Sequence, residues 1–127
     1  MQLNLERPDY TWYLRGADGT YALVNERVLR RSFVISPETL IEDWPVTDAA
    51  TMESSQLDPL LALQPELVLL GTGATQVFPP ASVMAACLTR GLGIEVMTNA
   101  AAARTYSVLA GEGRRVVAGF IIQYGGS

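Results

Sequence analysis

The 127-residue chain contains no lysine and no histidine. Each absence removes a chemistry. Without lysine there is no Schiff-base catalysis. Without histidine there is no imidazole base near neutral pH and no imidazole ligand for a metal. A single cysteine, Cys87, forbids an internal disulfide and gives no sign of an oxidising compartment. Basic residues are few: nine, all arginine, against thirteen acids, for a net charge of −4. No nucleic-acid partner is expected of such a balance, because affinity for a phosphate backbone needs a basic face. No apolar run approaches the roughly 18 residues of a membrane-crossing helix, so no stable membrane insertion is expected. The opening MQLNLERPDY lacks the segments of a secretory signal or a transit peptide. The expectation is a cytoplasmic protein with no cofactor and no metal.

What is present is a core. The chain is 49% hydrophobic and 17% charged, a globular balance. A chain of this length buries about two-thirds of its unfolded surface. One domain over residues 1–127 is expected, with a β-rich half at about 1–45 and an alternating strand–helix half at about 58–123.

In the first half, Thr11 to Arg15 alternates, Asp18-Gly19 signals a hairpin turn, and Tyr21 to Val24 resumes. Val28 to Ser36 and Thr39 to Trp44 complete a predicted meander. Pro45 to Ser55 reads as a polar surface loop. Asp58-Pro59 reads as a helix cap followed by proline in the first turn.

From Glu66 the pattern changes. Leu67 to Leu70 is a continuous apolar run, suited to a strand covered on both faces. A helix is predicted over Pro80 to Arg90, with Val83, Met84, Cys87 and Leu88 as its apolar stripe and Gly91 as its terminator. Ile94 to Met97 is the next strand, Thr98 to Ala110 a helix and Val116 to Ile122 a final buried strand. This alternation implies crossovers and a mostly parallel, mixed sheet. The predicted fold is α/β: a three-layer domain whose N-terminal β meander packs with a sheet flanked by helices.

Ligands of open α/β sheets collect beyond the carboxyl ends of the strands. Two loops fall there, Gly71-Thr72-Gly73 and Met97-Thr98-Asn99, and each leads to a helix N-terminus. GTGATQ is not a dinucleotide fingerprint, because Gln76 stands where a third glycine is needed. It is not a P-loop, because no lysine exists. Either the glycines make a tight turn with unusual φ angles, or they let backbone approach a polar ligand, with Thr72 and Thr75 as hydroxyl donors. Arg104 lies in the first turns of the alanine-rich helix. It is either a solvated or ion-paired arginine, or a ligand fork with Glu112 as resting partner and Arg114 beside it. Ser82, Ser107 and Thr98 lack any histidine or lysine base. Cys87, on an apolar stripe, reads as an inert core thiol. No spacing singles out Glu95 or Glu112 as an acid–base pair.

LLGTG, VMTNAAAARTY, EGRRVVAGFI and YALVNERVLRRSFVISPETLIEDWP together resemble a family of small α/β domains of unknown function. That family includes an assembly factor of the mitochondrial NADH:ubiquinone oxidoreductase complex and an adipogenesis-associated domain protein. The resemblance covers nearly the whole chain. It implies a three-layer fold around a mixed sheet, and no known reaction. Its glycine loop maps onto Gly71, Thr72 and Gly73, and its Met-Thr onto Met97 and Thr98. Its Arg-Thr-Tyr maps onto Arg104, Thr105 and Tyr106, and its Glu-Gly-Arg onto Glu112, Gly113 and Arg114. The family shows asparagine where this chain has Ser107, which weakens a ligand clamp at that position. The expectation is therefore a non-catalytic, protein-binding assembly domain, with respiratory-complex subunits as the partners the resemblance implies. The alternative is a small-anion or small-molecule binder, or an arginine/carboxylate enzyme. Its site would be Gly71, Thr72, Gly73, Thr98, Arg104, Glu112 and Arg114.

Overall fold

Val68, Leu69 and Leu70 are fully buried, as a strand covered on both faces requires. What covers them is read from a computed structural model, which describes residues 8–123.

A small antiparallel sheet comes first: β1 (Leu14–Ala17), β2 (Ala22–Val24) and β3 (Arg27–Leu29), in that order. The Asp18 carboxylate shapes the first turn by accepting the N–H groups of Thr20 and Tyr21 at 2.8 and 3.0 Å. Asn25, at φ 51°, makes the second turn. Then come β4 (Phe33–Ile35) and β5 (Leu40–Ile41), α1 (Asp58–Leu61), β6 (Leu67–Gly71), α2 (Ala81–Leu88), β7 (Gly93–Met97), α3 (Asn99–Gly111) and β8 (Val116–Phe120). The larger sheet has the order β5-β4-β8-β6-β7. β6 runs parallel to β7 and β8, while β4 runs antiparallel to β8 and β5.

Period-two alternation divides this sheet between two cores. Phe33, Ile35, Leu69, Ala118 and Phe120 pack with α3 and the meander. Val34, Val68, Leu70, Val117 and Ile121 pack with α1, α2 and the segment around Trp44. The rings of Phe33 and Phe120 stack with centroids 5.0 Å apart. The architecture is the expected three-layer α/β arrangement, with a meander beside a mixed sheet.

Four local expectations are corrected. The single strand over Val28 to Ser36 is two strands in different sheets. Val28 in β3 is 50% exposed while Phe33, Val34 and Ile35 are buried, so the chain changes layer at Arg30-Arg31. The predicted surface loop after Trp44 is a packed segment. Val46, Ala49 and Met52 are buried, and two 3-10 turns, Ala49–Thr51 and Ser54–Leu57, carry it. Asp58 is the first residue of α1 and not its cap, which is Leu57. Leu88, expected on the apolar stripe of its helix, is 60% exposed, because α2 ends there and Gly91 (φ 72°) turns the chain away.

Trp44 fixes how closely the second layer approaches. Its indole lies against Gly119, where an added Cβ would stand 2.6 and 2.7 Å from two ring carbons. The indole N–H donates to the Gln56 carbonyl at 2.8 Å.

Candidate functional site

The glycine loop leaves the carboxyl end of β6 and meets the N-terminus of α3. Both are engaged by one side chain, Asn99, which is fully buried. Its Oδ1 accepts the Gly73 N–H at 3.1 Å. Its Nδ2 donates to the carbonyls of Asp18 and Ile121, both at 2.9 Å. Its own backbone N–H donates to the Gly73 carbonyl at 2.9 Å. The carboxamide thus ties together the first hairpin turn, the glycine loop and the end of β8. Its oxygen takes the loop N–H that an anion would otherwise take.

The two glycines serve this contact in different ways. A Cβ on Gly71 would collide with Asn99 Oδ1 and lie 3.1 Å from Phe120. Gly73 has φ 103°, which side-chain-bearing residues rarely adopt. Thr72 is buried. Its hydroxyl donates to the Thr75 carbonyl at 2.7 Å and accepts the Val77 N–H at 3.0 Å. Thr98 caps α3, its hydroxyl accepting the Ala101 N–H at 3.3 Å. The first-turn donors of α3 at Asn99 and Ala101 therefore already have partners inside the protein.

The remaining candidate residues lie elsewhere. Thr98 caps one end of α3 and Glu112 the other, and at 1.5 Å per residue the helix holds them about 20 Å apart. Arg104 is exposed on the middle of the helix, and among the described residues no ion pair joins it to Glu112. Arg114 is at the opposite edge of the sheet, 3.5 Å from Glu66. The glycine loop and Thr98 are thus brought together, and Arg104, Glu112 and Arg114 are not. Sequence reasoning placed Asn99 in the loop before α3, and it missed Asn99 as the hub.

Trp44 is buried, and Trp12 and Tyr13 are half-buried. Two of the exposed large apolar side chains flank α2, while Tyr21, Val28 and Val108 are exposed elsewhere. Phe78, just before it, is 63% exposed, and Leu88 at its end is 60% exposed. Ala81 and Ala85 are exposed between them. β7 alongside is an edge strand.

At the amino edge of the parallel strands, two tyrosines stack edge-on, with centroids 6.4 Å apart. The Tyr106 hydroxyl donates to the Trp12 carbonyl at 2.7 Å. Burial, reinforced by Tyr10, pushes the Tyr106 phenol far up, and burial raises Tyr10 too. Glu66 is held below the usual carboxylate range, chiefly because it accepts the Arg115 N–H and secondarily by Arg114. Burial raises the Cys87 thiol, so little thiolate forms at neutral pH. Among the described residues no cluster of acids and cysteine could hold a metal ion, and no helix is long and apolar enough to cross a membrane.

Residues 15–121 match the family described as a protein of unknown function (DUF498/DUF598). The chain belongs to this family. It is 54% identical to a Xanthomonas campestris protein solved by NMR, over 100% of this chain and 96% of that one, with a TM-score of 0.84. It is 28% identical to a Bordetella pertussis protein described as a Mth938-like domain, over 95% and 92% of the two chains, with a TM-score of 0.79. Among curated proteins it is similar to a Francisella tularensis protein named 13 kDa major membrane protein, at 34% identity over 71 residues. That match spans 56% of this chain and 58% of the relative's length.

Proposed function

We propose that this member of the DUF498/DUF598 family is a protein-binding, assembly-type domain that works without catalysing a reaction. One observation carries the reading: the exposed apolar surface around α2, where Phe78 and Leu88 stand 63% and 60% exposed beside the edge strand β7. Large apolar side chains left exposed at both ends of one helix are available to an interface. The internal use of the glycine loop supports the same reading, because a ligand there would have to displace Asn99 from Gly73. The resemblance to an assembly factor of respiratory complex I points to subunits of such a complex as partners, in a cytoplasmic setting.

The alternative is a small-anion site at Gly71, Thr72, Gly73 and Thr98. It would require Asn99 to release a buried N–H and the Thr98 hydroxyl to leave Ala101.

The test is affinity capture of the tagged protein from its own cells, beside a variant carrying Phe78→Ser and Leu88→Ser. The expected result is a protein retained by the wild type and lost from the variant, at an unchanged melting temperature. Retention of the same partners by both proteins would remove the basis of the reading. A thermal shift with phosphate, sulfate or carboxylates that depends on Thr98 would favour the alternative.

A further inference from the structure

The amino edge of the parallel strands carries a second surface, distinct from α2. A cavity of about 540 Å³ lies there between Leu61, Pro65 and Leu92, with Arg90 at its side. A second, of about 820 Å³, lies between the tyrosines Tyr10 and Tyr13 and the end of α3. Glu38, Leu63 and Arg115 border both, so the two form one continuous groove.

Its charges are unevenly met. Among the described residues the Arg90 side chain has no hydrogen bond or ion pair. Arg115 uses only its Nε, which donates to the Gln64 carbonyl at 3.2 Å. Two guanidinium groups with free donors therefore border one cavity, in which Leu61, Leu63, Pro65 and Leu92 supply the apolar side chains. The carboxyl ends of α2 and α3 point to this edge and favour cations there. Each contributes only about half a negative charge and does not occupy the guanidinium forks. Asp9 borders the larger cavity, Glu38 borders both, and Glu66 lies against Arg114 and Arg115, so Arg90 is the guanidinium of the groove without a carboxylate partner among the described residues.

We propose that this groove binds an extended acidic segment of a protein partner. One carboxylate is held between Arg90 and Arg115, and a neighbouring apolar side chain packs on Leu61, Leu63 and Leu92. The inference rests on the protein-binding reading and assigns it a second contact surface with a defined chemistry.

The experiment titrates isotope-labelled protein with two short synthetic peptides and follows amide chemical shifts. One alternates glutamate and leucine, and the other has glutamine for every glutamate. The acidic peptide is expected to shift Leu63, Arg90, Leu92 and Arg115. Its Kd should weaken about tenfold in Arg90→Gln, the size of one charge-assisted hydrogen-bonded contact. It should weaken again with added salt. Arg90→Gln should melt within a few degrees of the wild type, because that side chain makes no hydrogen bond or ion pair among the described residues and loses only its attraction to the end of α2. Arg115→Lys, which loses the fork and keeps the charge, should also weaken binding. The proposal is overturned by the absence of shifts, by shifts confined to Phe78–Leu88, by equal binding of the two peptides, or by an unchanged Kd in Arg90→Gln. A partner captured through Phe78 and Leu88 while the acidic peptide leaves the groove unshifted would end this proposal alone. Failed capture would end the reading beneath it.

Discussion

Replacing Asn99 with alanine removes three hydrogen bonds at once. The carbonyl of Asp18 belongs to an exposed residue, so water replaces its lost partner. The Gly73 N–H and the Ile121 carbonyl belong to buried residues and lose theirs. An unsatisfied buried group costs about 1–3 kcal/mol, so two give roughly 2–6 kcal/mol. Entry of a water into the vacated space offsets part of this, and the expected loss is about 3 kcal/mol. For a chain of this size that lowers Tm by about 10 °C. Urea unfolding and calorimetry measure both. Two further variants separate the clamp from simple loss of volume. Asn99→Asp keeps the shape but turns an acceptor toward two carbonyl oxygens. The folded state then favours the protonated acid, so this variant should gain stability relative to the wild type as pH falls toward 4. Gly71→Ala places a methyl group against Asn99 Oδ1. Its cost should shrink when Asn99 is already alanine, because the colliding atom has gone. Asn99→Ala within about 0.5 kcal/mol of the wild type would refute the reasoning, and so would costs of Gly71→Ala and Asn99→Ala that simply add.

Two other perturbations follow from the packing and the charges. Gly119→Ala drives a methyl group into the Trp44 ring and should cost about 1–3 kcal/mol, with altered tryptophan fluorescence in the folded protein; an unchanged midpoint and spectrum would contradict the contact. Stability should be nearly flat from about pH 6 to 8, because no histidine is present. It should fall in acid, because Asp18 and Glu66 are held below their usual range when folded. Their contribution is present above the unfolded carboxylate value of about 4 and is lost as pH drops through the lower folded one. Asp18→Ala should flatten part of that acid slope in urea titrations.

The sequence made the second half of the fold legible because its signals are local. Apolar runs mark β6 and β8, Gly91 and Gly113 take positive φ where helices stop, and Thr98 caps α3. The first half was less legible. Apolar residues stand on both sides of Arg30-Arg31-Ser32, where the chain changes sheets, and alternation alone cannot say which sheet a residue joins. The segment after Trp44 looked polar because its buried residues are spaced singly among exposed ones. At the site, the need for glycine at positions 71 and 73 was visible, but the group that approaches them was not. Asn99 reaches a carbonyl 81 residues away, and no local pattern records such a partner. The amino-edge groove escaped for the same reason: Arg90, Arg115 and Glu38 meet only through the sheet order.

The place of β8 in that order has a consequence for how the protein is made. β8 lies between β4 and β6, yet it is translated after both. While the ribosome works, the nascent sheet has a gap one strand wide at its centre. β4 and β6 present bare backbone edges and apolar side chains to solvent until then, which invites chaperones or misassociation. The Asn99 clamp is also incomplete until the Ile121 carbonyl arrives. Sheet and clamp therefore both wait for β8.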